Sequence, residues 1–313
     1  MLRKAAAILV LAGAVSGCGL MPGGGDDDRP AAPLTTPAAE QDVELPLESY
    51  YPTPEQDALL TRARGQLILE CMQSFGLTFD TGTQTASAGD PYRTDRFLLS
   101  DAKLAADHGY HSAPEVYAAQ EQAEAAAEES GWKPTADEKM VYGGAGSNTY
   151  QGKQIPDGGC REKAFETLST LPVGEGQEAD SSSGSVPPDI YFVQGLRYQA
   201  NEKTAQDSRV LAMEGSWSSC MQQAGHRYDT PAQAANDPRW QEGTVPQPGE
   251  VHVATADVKC KEQANYLGVM TQATTEYQMA LIEENAEALD QFQKDYDEQL
   301  RRATATIAGE PVA

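Results

Sequence analysis

Apolar residues recur at three- and four-residue steps over much of the chain, the spacing of helices that bury one face. Leu59, Leu60, Ala63, Leu67, Cys71, Met72 and Phe75 form one such stripe. Thr53-Pro54-Glu55-Gln56 opens it as a capping box with proline at the first helical position, where no donor is lost. Gly76 stands ready to close it in a left-handed cap. Val210, Met213, Trp217, Cys220, Met221 and Ala224 draw the same stripe, ended by Gly225, in a helix expected to start between Asp189 and Ala205. From Val258 to Ala303 there is no proline and Gly268 is the one glycine. Leu267, Met270, Tyr277, Leu281, Leu289, Phe292, Tyr296 and Leu300 give that stretch a seam, which predicts a last helix longer than roughly 60 Å. Pro248 with Glu250 offers it an earlier start, although Gln247 is an unusual cap. Shorter helices are expected from Ser100, as N-cap, to Asp107 and from Pro114 to Glu129, and Gly143–Gly159 reads as a glycine-rich loop. Asp157 and Asp257 are each placed to cap a turn that carries the following cysteine.

The chain also repeats itself. Cys71-Met72-Gln73, Gly76 and Phe79-Asp80-Thr81 align without a gap on Cys220-Met221-Gln222, Gly225 and Tyr228-Asp229-Thr230. Asp157, Cys160-Arg161-Glu162 and Ala164 correspond to Asp257, Cys260-Lys261-Glu262 and Ala264. Equivalent cysteines in duplicated halves should do equivalent work, which favours Cys71 with Cys160 and Cys220 with Cys260 among the three connectivities open to four cysteines. Closing loops of this length stabilises a fold by roughly 4 kcal/mol each in the chain-entropy account. No Cys-x-x-Cys spacing suggests redox catalysis or a zinc ribbon. The expected fold is mainly α: duplicated helical pairs forming a disulfide-stapled domain with a long C-terminal helix. Residues 45–171 form the first repeat with an insertion, 172–188 a serine- and glycine-rich linker, 189–306 the second repeat and 307–313 a tail.

The first residues read as an export leader: Arg3 and Lys4, an apolar run from Ala5 to Val15, then Ser16 and Gly17. The run is too short for a permanent span, which needs about 20 residues. Val15-Ser16-Gly17-Cys18 matches the lipobox of bacterial lipoproteins, whose resemblance implies cleavage of 1–17, diacylglycerol on Cys18 and acylation of its new amino group. Several acyl chains anchor far better than one. Residues 18–44, with Gly23-Gly24-Gly25 and Asp26-Asp27-Asp28, lack apolar content and read as a flexible stalk. Loss of Arg3 and Lys4 with the leader takes the formal charge from −24 to −26. Such a surface is a poor partner for nucleic acid or anionic headgroups.

Candidate chemistry is sparse. Ser100-Asp101-Ala102-Lys103 fits the S-x-x-K pattern of penicillin-interacting serine enzymes, yet neither S-D-N nor K-T-G accompanies it and a helix cap accounts for Ser100. His108 and His111 are the one close histidine pair, with His226 and His252 too distant in sequence to complete a metal site. No catalytic residue, metal ligand or cofactor motif is assigned. Trp217, Tyr228 and Trp240 stand out because aromatics are scarce, 7% of residues, and lie near the second cysteine pair. They are expected either to pack over that bridge or to line a ligand groove between the repeats.

Val15-Ser16-Gly17-Cys18, Tyr110-His111, Arg209-Val210, Trp217-Ser218, Cys220-Met221, Thr230-Pro231, Asp237-Pro238-Arg239-Trp240 and Ala256 to Lys261 together resemble actinobacterial cell-surface lipoproteins with two CMQxxG and DxxCxE cysteine repeats. The resemblance spans most of the mature chain. It implies lipid anchorage and two disulfides, and it brings no activity with it. The expected function is that of a lipoprotein held by Cys18 on the extracytoplasmic face of the cell membrane, a non-catalytic binding or assembly protein whose partner is an envelope protein or a small ligand. The alternatives are a cell-envelope hydrolase and the solute receptor of a transporter; the latter calls for two α/β lobes that the pattern does not show.

Overall fold

Thr53 begins the first long helix as its sequence requires. Its hydroxyl accepts from the Gln56 N–H, and the Gln56 side chain returns to the Thr53 N–H at 2.8 Å, so both halves of the capping box form around α1 (Pro54–Ser74). The computed structural model describes residues 36–81, 97–130, 132–169, 190–240 and 243–311. The 1–17 leader, Cys18, the stalk up to residue 35 and the 172–188 linker lie outside them. After α1 come α2 (Ala102–His108), α3 (Pro114–Ser130), α4 (Ala136–Gly143) and, beyond a two-stranded hairpin, α5 (Gly159–Leu168). The second half contains α6 (Ile190–Gln206), α7 (Ser208–Gln223), α8 (Pro231–Ala235), α9 (Pro248–Gln263), α10 (Tyr266–Glu284) and α11 (Ala286–Ala308). The fold is mainly α, it carries two disulfides, and α11 is the long C-terminal helix. No helix among the described residues is long and apolar enough to cross a membrane.

Both bridges join the cysteines that the repeat matched, Cys71 to Cys160 and Cys220 to Cys260. The shared Cys-Met-Gln-x-x-Gly motif is one structural device used twice. In each copy the cysteine sits in the last turn of a helix and the methionine beside it is fully buried. The glycine then takes a left-handed φ, +73° at Gly76 and +90° at Gly225. The N–H of the following residue bonds back to the methionine carbonyl, Leu77 to Met72 at 3.1 Å and His226 to Met221 at 2.9 Å. That geometry satisfies two orphan carbonyls at a helix end. A Cβ added at Gly225 would meet nothing within 4 Å, so Gly225→Ala isolates the cost of the left-handed backbone. It is expected to lower unfolding free energy by about 1–2 kcal/mol, read from the denaturant midpoint at unchanged m-value.

The correspondence extends further than sequence identity. In each half a buried glutamate at the third position of a helix, Glu138 of α4 or Glu250 of α9, accepts from the N–H three residues earlier, Thr135 at 2.8 Å and Gln247 at 3.3 Å. A buried valine follows three residues on, Val141 or Val253. In the second half α9 then continues to Cys260, whereas in the first a glycine-rich excursion separates α4 from the cysteine helix α5. Within it β1 (Thr149–Tyr150) pairs antiparallel with β2 (Lys153–Gln154) across a two-residue turn in which Gln151 and Gly152 both have positive φ. Gly144 and Gly159 pinch its base: a Cβ on Gly159 would lie 2.4 Å from the Gly144 nitrogen. The first half therefore carries a hairpin where the second has an unbroken helix.

Several boundaries differ from expectation. Asp207 caps α7 through the Arg209 N–H at 2.7 Å, so the Trp217 helix starts at Ser208 and a separate helix, α6, precedes it. Asp101 rather than Ser100 caps α2, accepting from the Lys103 and Leu104 N–H groups. Neither Asp157 nor Asp257 is a cap: Gly158 begins α5, and Asp257 lies inside α9, which starts at Pro248. The predicted run from Val258 to Ala303 is three helices. Asn265 breaks it with a left-handed φ of +53°, and Asn285 takes a non-helical conformation before α11. Residues 36–44, expected in the stalk, join the body, because Val43 and Leu45 are buried with Phe97, Val210, Met213 and Tyr266.

The two halves interlace. α11 packs on α1, and the bridge-bearing α5 lies against both. α6 packs on α10, with Leu47, Tyr51, Ile190, Val193, Leu196, Leu281, Leu289 and Phe292 forming their core. α2, an insertion of the first half, lies on α9 of the second. Leu34–Ala313 is a single compact unit as a result.

Candidate functional site

The densest polar chemistry lies where α2 meets α7 and α9, beside the Cys220–Cys260 bridge. Trp217 of α7 and Asp257 of α9 are both 0% exposed, and the indole Nε1–H donates to Asp257 Oδ1 at 2.9 Å. The turn after α2 presents Tyr110, whose hydroxyl donates to Asp257 Oδ2 at 3.0 Å. Lys261, one helical turn along α9 and 2% exposed, donates to the same oxygen at 2.9 Å and to the Leu99 carbonyl at 2.7 Å. Its ammonium also lies 5.1 Å from the centre of the Tyr266 ring. Burial pushes the Asp257 carboxyl upward, opposed by the Lys261 charge and the donated hydrogen bonds. Burial likewise lowers Lys261, opposed by Asp257. The Tyr110 hydroxyl is raised first by burial and then by the Asp257 charge.

A second carboxylate organises the same turn. Glu250 Oε1 accepts from the Tyr110 N–H at 2.8 Å and meets His111 Nδ1 at 2.7 Å. His111 Nε2 faces the Gly243 carbonyl at 3.1 Å. Gly109 is fitted to this contact, since a Cβ there would lie 2.6 Å from Glu250 Oε1. Two acidic side chains of α9 thus fasten residues 97–111 to the second half. Every polar atom of this network faces another atom of the chain, which is the arrangement of a structural cross-link.

Trp217, Tyr228 and Trp240, the ligand candidates of the sequence, do come together, in one cluster with Met221, Ala234, Val253 and both second-bridge cysteines. Trp240 stacks on Tyr110 with ring centres 5.7 Å apart and meets Tyr228 edge-on at 6.4 Å. Its Nε1–H donates to the Ala234 carbonyl at 3.0 Å, and the Arg239 guanidinium lies 4.7 Å from its ring. The Tyr228 hydroxyl donates to Asp237 at 2.9 Å. Burial and the neighbouring Asp237 push that hydroxyl to about 12, while hydrogen bonds from Arg239 hold Asp237 at about 2. The first half builds the counterpart at its own bridge: Phe79 stacks on Tyr142 and meets Trp132 edge-on. An aromatic trio over each disulfide is therefore part of the duplicated architecture.

The remaining candidates separate. The Lys103 ammonium pairs with Asp107 in solvent, and its helix is capped by Asp101, so nothing joins it to Ser100 as a nucleophile and base. His111 belongs to the Glu250 network, while His108 ends α2 without joining it. His226 and His252, unassigned by sequence, meet with ring centres 5.3 Å apart and planes nearly perpendicular. No group of three or more His, Cys, Asp or Glu among the described residues is arranged to hold a metal ion. Tyr110, Glu250, Asp257 and Lys261 escaped sequence reasoning as a site. Their signal was present in Asp257 and Lys261, opposite charges four residues apart on the face that also carries Val253 and Cys260. Compared with known proteins, the chain matches no family model, no curated protein and no solved structure.

Proposed function

We propose that the protein is a lipid-anchored, non-catalytic binding or assembly protein on the extracytoplasmic face of the membrane. The observation that carries this reading is the cysteine economy. Of five cysteines, four pair with one another, which leaves Cys18, behind Val15-Ser16-Gly17, for lipid. Stable disulfides belong to an oxidising, exported setting. The buried carboxylates support a scaffold rather than a catalyst, because Asp257 and Glu250 are occupied by partners from their own chain. The acidic balance fits a surface that engages neutral or basic envelope components.

In cells grown with an alkyne-bearing palmitate analogue, the wild-type chain is expected to take up label and sediment with membranes. Cys18→Ala is expected to lose all label and appear in the soluble exported fraction with its fold intact. Membrane sedimentation of Cys18→Ala at the wild-type level would overturn the anchor.

A further inference from the structure

The Ile190–Gln206 helix buries Ile190, Val193, Leu196, Ala200 and Thr204, and its opposite face carries an unusual surface. Tyr191 and Tyr198 are 53% and 63% exposed in a chain with few aromatic residues. Gly195 lies between them at the i+4 and i+7 spacing that places all three on one side of a helix. A glycine inside a helix costs roughly 0.5–1 kcal/mol relative to alanine, and a Cβ at Gly195 would meet nothing within 4 Å. Packing therefore gives no reason for it; its effect is a flat gap between two rings. The Arg197 guanidinium lies 5.5 Å from the centre of the Tyr198 ring and backs one of its faces. Gln194 and the exposed Glu202 flank the same strip with an amide and a carboxylate.

From this geometry we infer that Tyr191, Gly195 and Tyr198 form a platform for a β-1,4-linked pyranose strand. Seven residues advance a helix by roughly 10.5 Å, the length over which such a strand advances by two sugar rings, so each tyrosine meets an equivalent ring. The C–H faces of a pyranose stack on aromatic rings, and its rim hydroxyls suit an amide and a carboxylate. Gly195 lets the linkage between the stacked rings lie close to the helix backbone. The formal charge of −24 disfavours polyanions, and no basic side chain of the platform faces a ligand phosphate, so a neutral glycan is the occupant. This inference rests on the envelope-binding reading and names its ligand class.

The test is titration of the detergent-extracted full chain with chitotetraose and, separately, cellotetraose by isothermal calorimetry, with linear α-1,6-linked dextran as control. Saturable binding of at least one tetraose and none of dextran is expected. Comparison of the two tetraoses reports whether acetamido groups contribute. Tyr191→Ala and Tyr198→Ala should each weaken binding at least tenfold, and Gly195→Leu should do the same by filling the gap. All three should keep the wild-type thermal midpoint within a few degrees, since the side chains replaced are exposed. Absence of binding to both tetraoses, or tyrosine variants that bind as the wild type does, overturns the platform. A protein that binds no glycan yet still labels with lipid at Cys18 would sink this inference alone.

Discussion

Replacing Cys220 and Cys260 together by serine is expected to reduce the free energy of unfolding by about 4 kcal/mol, the chain-entropy value for a loop of this size. The bridge closes a separation of 40 residues, and that of Cys71–Cys160 closes 89, so the second pair should cost slightly more, about 4.5 kcal/mol. Either loss is a large part of a typical domain's 5–15 kcal/mol. The two bridges lie in different core clusters, so their effects should add to within about 0.5 kcal/mol. Urea unfolding of the two paired variants and their combination checks this. A loss below about 1 kcal/mol for either pair would show that the bridge decorates a core able to stand without it.

Lys261→Met should destabilise the fold by about 3–5 kcal/mol, because it leaves Asp257 buried without its cation. The carboxylate keeps the Trp217 and Tyr110 donors, which sets the loss toward the lower end. Asp257→Asn alone should also be costly, as it leaves the ammonium against an amide in a site that is 2% exposed. The combination of Asp257→Asn with Lys261→Met removes both charges. The asparagine oxygen still accepts from Trp217, and its amide can donate to the Tyr110 hydroxyl. The double variant should therefore be more stable than the sum of the two singles by about 1–3 kcal/mol. Additivity in that cycle would mean that the two charges do not depend on each other.

The parts of this fold that sequence reveals are those set by local chemistry. α1 is announced by a capping box at its start and a left-handed glycine at its end, and both form. The disulfide pairing is readable because the Cys-Met-Gln-x-x-Gly cap recurs with its cysteine partner. The breaks around α10 are hidden because they use asparagine where glycine or proline would be the visible signal. Asn265 reaches a left-handed conformation open to its short polar side chain, and Gly268 makes room for it: a Cβ at Gly268 would lie 2.6 Å from Asn265 Oδ1. The apolar seam of the expected helix continues across both breaks, so periodicity alone joins three helices into one.

The candidate site was legible in its aromatic half only. Trp217, Tyr228 and Trp240 lie within 24 residues of one another, near Cys220 and Cys260. The polar half joins Tyr110 to Asp257 and His111 to Glu250 across 147 and 139 residues. Nothing in the intervening sequence marks those contacts, because they arise when the first half's insertion docks on the second half. Asp257 reads as a helix cap in isolation, and only the packing of α2 on α9 turns it into a buried acceptor. The same docking explains why the repeats do not form separate domains.

The account has at its centre a lipid-held chain whose duplicated halves are each closed by their own disulfide. Mass spectrometry of peptides from the membrane-extracted protein, digested without reduction, tests it most directly. The account predicts one pair of peptides linked through Cys71 and Cys160, another through Cys220 and Cys260, and an N-terminal peptide that begins at an acylated Cys18. A link from Cys71 to Cys220 or Cys260, or a Cys18 that carries a disulfide in place of lipid, would contradict it.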